Sequence, residues 1–186
     1  SAPPNRKTWL KAIALTPNFV EALVSLGFIA LLQGDKVAAD VFYAKAVKVD
    51  PDYSHAWFRY GDLHFIREEW ADALRCYEQA MKIMPGHFAL TVQAGLAAQR
   101  SGDMDLAASY QRQASELRPD AWIPTYNLAC LAAVTGRKDE AVAFLQKAAA
   151  QGMDDSSVLM TDPDVATLRS MPQYAEVLAI VRRNDK

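Results

Sequence analysis

The stretch SHAWFRYGDLHFIREEWADALRCYEQAMKIMP, residues 54–85, decides how the chain folds. Its first half carries apolar residues at helical spacing, its second half repeats that spacing, and Pro85 ends it. Polar His55, Arg59, Asp62 and His64 stand among the aromatics of the first half. Such a mixture suits either a catalytic helix or a helix that shows one face to its own fold and another to a partner.

The layout recurs along the chain. Prolines fall at 17, 51, 85 and 119, each 34 residues from the last, and a fixed period of this size marks a repeat architecture. With residue 20 as position 1, position 8 reads Gly27, Gly61, Gly95 and Ala129. Position 20 reads Ala39, Ala73, Ala107 and Ala141, and position 27 reads Ala46, Ala80, Ala114 and Ala148. Position 15 reads Gly34, Glu68, Gly102 and Gly136. Small residues in phase let two antiparallel helices approach closely while larger neighbours fill the grooves. Glycine at position 15 supplies the left-handed residue that stops a first helix, and proline after the second helix stops that one. Asp35 and Asp103 are placed to cap the second helices of their units.

On these residues the chain resembles the tetratricopeptide repeat family, with Trp57, Tyr60, Gly61, Ala73, Tyr77, Ala80 and Pro85 carrying most of the signature in the second unit. The resemblance implies an all-α, right-handed α-solenoid of antiparallel helix pairs. The register places repeats at 20–53, 54–87, 88–121 and 122–153. Residues 1–19 form the second helix of a partial repeat and residues 154–186 form capping helices. The half-repeat is expected from a longer array, because Trp9, Leu10 and Ile13 make a poor polar cap. In the tail, Asp162-Pro163 and Pro172 signal helix starts, and Tyr174, Val177, Leu178 and Val181 form an apolar stripe. The tail is similar to segments that close many bacterial arrays of this family.

Composition narrows the function. Hydrophobic residues make up 51% of the 186 and the formal charge is −2, which argues against a nucleic-acid partner. No apolar run is long enough for membrane insertion. Cys76 and Cys130 form no CxxC pair, and two thiols fit a reducing compartment such as the cytoplasm without excluding an oxidising one. His55 and His64 lie nine residues apart on one helix and point in different directions, so no metal site and no cofactor is expected. Cys76 falls at the helix seam, whereas Cys130 falls on the groove face and is the more open to a ligand. Without a positioned base, neither makes an enzyme.

The resemblance puts positions 2, 5, 6, 9, 12 and 13 of each first helix on the concave groove. The partner-binding residues expected there are Val24, Phe28, His55, Phe58, Arg59, Asp62, Phe65, Gln93, Arg100, Tyr126 and Asn127. Trp57, Tyr60, Gly61 and His64 face the unit's own second helix, with His64 in a local hydrogen bond. Family members that grip chaperone-tail carboxylates use Lys, Asn and Arg at set positions. Here Val24, Phe28, Ala89 and Gln93 stand at such positions, so the clamp is not rebuilt. The expected partner is a protein or peptide held chiefly by apolar and aromatic contacts. Two alternatives remain: a targeting or substrate-recognition arm of a larger enzyme, and a module that self-associates as a homo-oligomer through the apolar end near Trp9.

Overall fold

The computed structural model describes residues 6–185, and every regular element among them is helical. The helices are α1 (Arg6–Leu15), α2 (Val20–Leu32), α3 (Lys36–Val49), α4 (Ser54–Ile66), α5 (Trp70–Ile83) and α6 (Phe88–Arg100). They continue with α7 (Met104–Leu117), α8 (Trp122–Val134), α9 (Lys138–Ala150), α10 (Ser156–Thr161) and α11 (Pro172–Asn184), with a 3₁₀ turn at Pro163–Leu168 before α11. The chain divides into two compact units, residues 1–97 and 98–186.

Each hairpin turn is built the same way. After α2 the amide of Gly34 donates to Leu31 O at 3.0 Å and that of Asp35 to Ala30 O at 2.9 Å. This pair of bonds satisfies carbonyls that the helix end would otherwise leave open. The turn after α4 repeats it through Glu68 to Phe65 O and Glu69 to His64 O, and the turn after α8 through Gly136 and Arg137. The motif needs a left-handed residue, supplied by Gly34, Gly102 and Gly136, and in the second hairpin by Glu68 at φ 61°. Asp35 and Asp103 cap α3 and α7 as expected, accepting from the amides of Ala38 at 2.9 Å and Leu106 at 3.0 Å.

In the N-terminal unit, α2 packs on α3 and α4 on α5. A Cβ at Gly27 would stand 2.6 Å from Cε1 of Tyr43, and one at Gly61 2.6 Å from Cε1 of Tyr77. Real atoms do not approach so closely, so each glycine makes room for a tyrosine ring. Leu23, Ala39, Ala46, Ala56 and Leu63 fill the buried space around them. α1 packs on α2, with Trp9 edge-on to Phe19 at 6.1 Å between centroids, while Leu10 stays exposed.

In the C-terminal unit, α8 packs on α9 and α7. At the positions held by Gly and Tyr in the second hairpin, this pair has Ala129 and Leu145, both fully buried. A shorter partner chain lets a Cβ into the seam. Met153, where the proline period lapses, is fully buried beside Leu159, Val165 and Leu168. The tail packs on both helices of the last pair: α11 lies on α9, and the Pro163–Leu168 turn lies on α8.

Two measurements check this account. Gly61→Ala should lower the unfolding free energy in urea by about 1–3 kcal/mol. Gly61→Ala combined with Tyr77→Leu, which copies the Ala129–Leu145 pair, should recover part of that loss; strict additivity would refute the fit. Glu68→Gly should raise stability by about 1 kcal/mol by relieving the left-handed residue, and a lower thermal midpoint would contradict the turn analysis.

Candidate partner-binding groove

The N-terminal unit holds a concavity of about 680 Å³ lined by α2, α3, α4, α5 and α6. The end of α2 contributes Phe28, Leu31 and Leu32, that of α4 Phe65 and Ile66, and α6 Gln93 and Leu96. Phe28 is 41% exposed, Leu32 71% and Ile66 47%. These large apolar chains share one depression because helix periodicity sets residues three and four apart on one face.

The floor is polar. Arg59 Nη1 donates to Asp62 Oδ2 at 3.3 Å, and the Tyr77 hydroxyl donates to Asp62 Oδ1 at 3.1 Å. The Arg59 guanidinium lies 5.2 Å from the Phe28 ring centre and 5.6 Å from that of Phe58, within cation–π range. Burial pushes the Asp62 carboxyl above its ordinary range, while Tyr77 and Arg59 pull it back. The Tyr43 ring is fully buried against Gly27 beneath the groove floor, and its sealed hydroxyl has no hydrogen-bond partner among the described residues. Burial, offset by Arg59 and reinforced by Asp62, raises its pKa.

The expected contact residues therefore separate. Phe28, Arg59, Asp62, Phe65 and Gln93 line the groove. Phe58 stands beside Arg59 and packs on Tyr77 at 6.0 Å, and exposed His55 lies 6.5 Å from Phe58. Val24 is a core residue, 4% exposed, because its side chain enters the cluster around Tyr43. Arg100, at the exposed end of α6, belongs to the other unit.

Tyr126, Asn127 and Cys130 correct the sequence expectation most sharply. All three are buried, Tyr126 and Cys130 because the chain's own tail covers them. The Tyr126 hydroxyl donates to Asp162 Oδ2 at 2.8 Å, and the Cys130 thiol lies 4.0 Å from the same oxygen. Gln99 Nε2 donates to Asp164 Oδ2 at 2.9 Å. Asp162 also caps the turn by accepting from the Asp164 amide. Only the alternation of Asp and Pro at 162–164 hinted at this turn, and nothing in it named its target.

Trp57, Tyr60 and His64 face α5 across a second depression of about 420 Å³, with Asp72, Arg75 and Cys76 on its far side. His64 Nδ1 and Glu69 Oε2 share a hydrogen bond at 2.6 Å. His64, Glu69 and Asp72 place donor atoms within 4.8 Å of one another. Both carboxylates are already paired, Glu69 with Arg67 and Asp72 with Arg75. Burial raises the Cys76 thiol to about 12 and pushes Cys130 up as well, which leaves neither thiol poised as a nucleophile.

A carboxyl whose pKa is higher folded than unfolded contributes most to stability below the ordinary value, and that contribution is lost as pH rises through the raised one. Asp62→Asn removes the titration. Its unfolding free energy relative to wild type should therefore improve as pH climbs from about 4; parallel pH profiles in urea titrations would exclude the raised carboxyl.

Comparison with known proteins places this architecture. Tetratricopeptide repeat profiles match residues 20–53, 54–87 and 92–156. The human protein O-mannosyl-transferase TMTC3 is 23% identical over 177 residues, which cover 90% of this chain and 19% of that protein. The chain thus spans about a fifth of the length of that relative. Among solved structures, YrrB, described as a TPR protein with an unusual peptide-binding site, superposes with a TM-score of 0.73 at 18% identity over 97% of this chain and 93% of its own. PilF of Pseudomonas aeruginosa gives a TM-score of 0.74 at 16% identity over 96% of this chain and 82% of its own. Three matched segments in one helix-pair register, with the small residues seated at the helix crossings, make the chain a member of the tetratricopeptide repeat family.

Proposed function

We propose that the chain is a non-catalytic protein-interaction scaffold that holds a peptide or a segment of a partner protein in the groove of its N-terminal unit. One contrast carries this reading. Phe28, Leu32 and Ile66 are exposed around one concavity, whereas on α8 Tyr126 and Cys130 are buried against the chain's own tail and exposed apolar side chains remain at its two ends, Ile123 and Val134. Exposed large apolar residues gathered on one surface mark a site for a partner. The repeats at 20–53 and 54–87 supply most of that surface. The peptide-binding description of YrrB supports the same class of partner.

A second reading has its own support. The match to a transferase covers only 19% of that protein, as expected if such repeats serve as the recognition arm of a larger enzyme. In that reading the groove still does the binding and chemistry resides elsewhere.

The test is selection of a displayed random-peptide library on the folded chain, followed by calorimetric titration of the selected peptides. Phe65→Ala should weaken binding by about 1–3 kcal/mol, the cost of removing an anchor. Met160→Ala, on the exposed surface of the tail, should leave it unchanged. Undiminished binding by folded Phe65→Ala would remove the groove from consideration.

A further inference from the structure

The groove joins apolar walls to a floor whose hydrogen-bonding capacity is only partly used. Arg59 carries five N–H donors, and among the described residues its one acceptor is Asp62. Each Asp62 oxygen receives a single donor, from Tyr77 on one side and Arg59 on the other, although a carboxylate oxygen can accept two. The Gln93 carboxamide in the wall has no partner among the described residues. The Tyr43 hydroxyl has none either among the described residues, but its oxygen is sealed from the groove, so the capacity open to an occupant is that of Arg59, Asp62 and Gln93. Covering Arg59 and Asp62, which are partly exposed, without supplying partners would be costly, so this floor favours an occupant that brings them.

The chemistry of that occupant follows from charge. Arg59 and Asp62 neutralise each other across 3.3 Å. A ligand carboxylate approaching Arg59 would meet Asp62, and a ligand ammonium approaching Asp62 would meet Arg59. Either charge would also shed its water among Phe28, Leu31, Phe65 and Leu96, at a high desolvation cost. A wholly apolar side chain would leave the floor unsatisfied. A neutral carboxamide offers a carbonyl to Arg59 and N–H donors to Asp62, with no net charge to bury.

We propose that the Arg59–Asp62 pair selects a glutamine or asparagine side chain, set among apolar residues of the bound segment. This rests on the groove reading above and specifies the partner class it accepts. Phe28 and Phe58 hold the guanidinium in place through ring contacts, so the donor is oriented before the partner arrives.

The experiment takes a peptide selected on the folded chain, whose binding Phe65→Ala weakens, and prepares four versions. The polar position facing the floor carries Gln, Glu, Lys or Leu. Titration of the wild-type chain should give the Gln version a dissociation constant about tenfold or more below each of the others. Arg59→Met, which keeps the length of the side chain, should bring the ratio of Leu to Gln constants close to one. Asp62→Asn serves as a second variant should Arg59→Met fail to fold, judged by its thermal midpoint, and should also reduce that ratio. A Gln version that binds no better than Leu, a preference for Glu or Lys, or a Gln preference intact in the folded variants would overturn the proposal. If Phe65→Ala still weakens all four versions in that case, the groove stands and only the carboxamide selection falls. If no selected peptide depends on Phe65, both fall.

Discussion

The N-terminal unit depends on the contact of a tyrosine ring with the backbone of a glycine on the facing helix. Tyr43 lies on Gly27 and Tyr77 on Gly61, with no room for a Cβ between them. Two consequences follow from one contact. Helices of a pair approach closely enough to bury Leu23, Ala39, Ala56 and Leu63. Both rings also line the groove floor, where the Tyr77 hydroxyl reaches Asp62. The packing that closes the core therefore also builds the polar centre of the groove.

The two units put the same kind of helix to different uses. α8 matches α4 in position within its repeat, and its Tyr126 and Cys130 are packed by the tail, with Asp162 receiving Tyr126 and Val165 and Leu168 filling the space beyond, while Ile123 and Val134 at its ends stay exposed. Full burial of Met153, Leu159, Val165 and Leu168 makes that segment part of the core rather than a displaceable strap. In the N-terminal unit no described segment covers Phe28, Leu32 and Ile66 to the same degree. Chemistry follows the same division: the acidic turn is satisfied where it lies, whereas Arg59 and Asp62 on the groove floor retain unused capacity.

Electrostatics in the groove are local. The Arg59–Asp62 pair is partly shielded, with side chains 33% and 23% exposed, and such pairs contribute modestly to stability. Its value lies in direction: donors and acceptors held side by side distinguish neutral polar groups from charged ones. The His64–Glu69 pair on the opposite side of α4 has another task. It ties α4 to the residue preceding α5, beside the left-handed Glu68 that turns the chain.

Much of this was legible in the sequence because it depends on spacing. The 34-residue phase of prolines and small residues located the helices, the left-handed turns, the caps at Asp35 and Asp103, and the local bond of His64. Helical periodicity also assigned Phe28, Arg59, Asp62, Phe65 and Gln93 to one face. It could not place Val24, since a residue on the edge of that face is claimed by whichever neighbour packs closer, here the cluster around Tyr43. Nor could it show that Tyr126 and Cys130 would be covered, because the tail that buries them departs from the repeat and lies some 30 residues further along. Local spacing determines which helices form and which face each turns inward; what covers that face depends on contacts distant in the chain, and only the folded protein settles those.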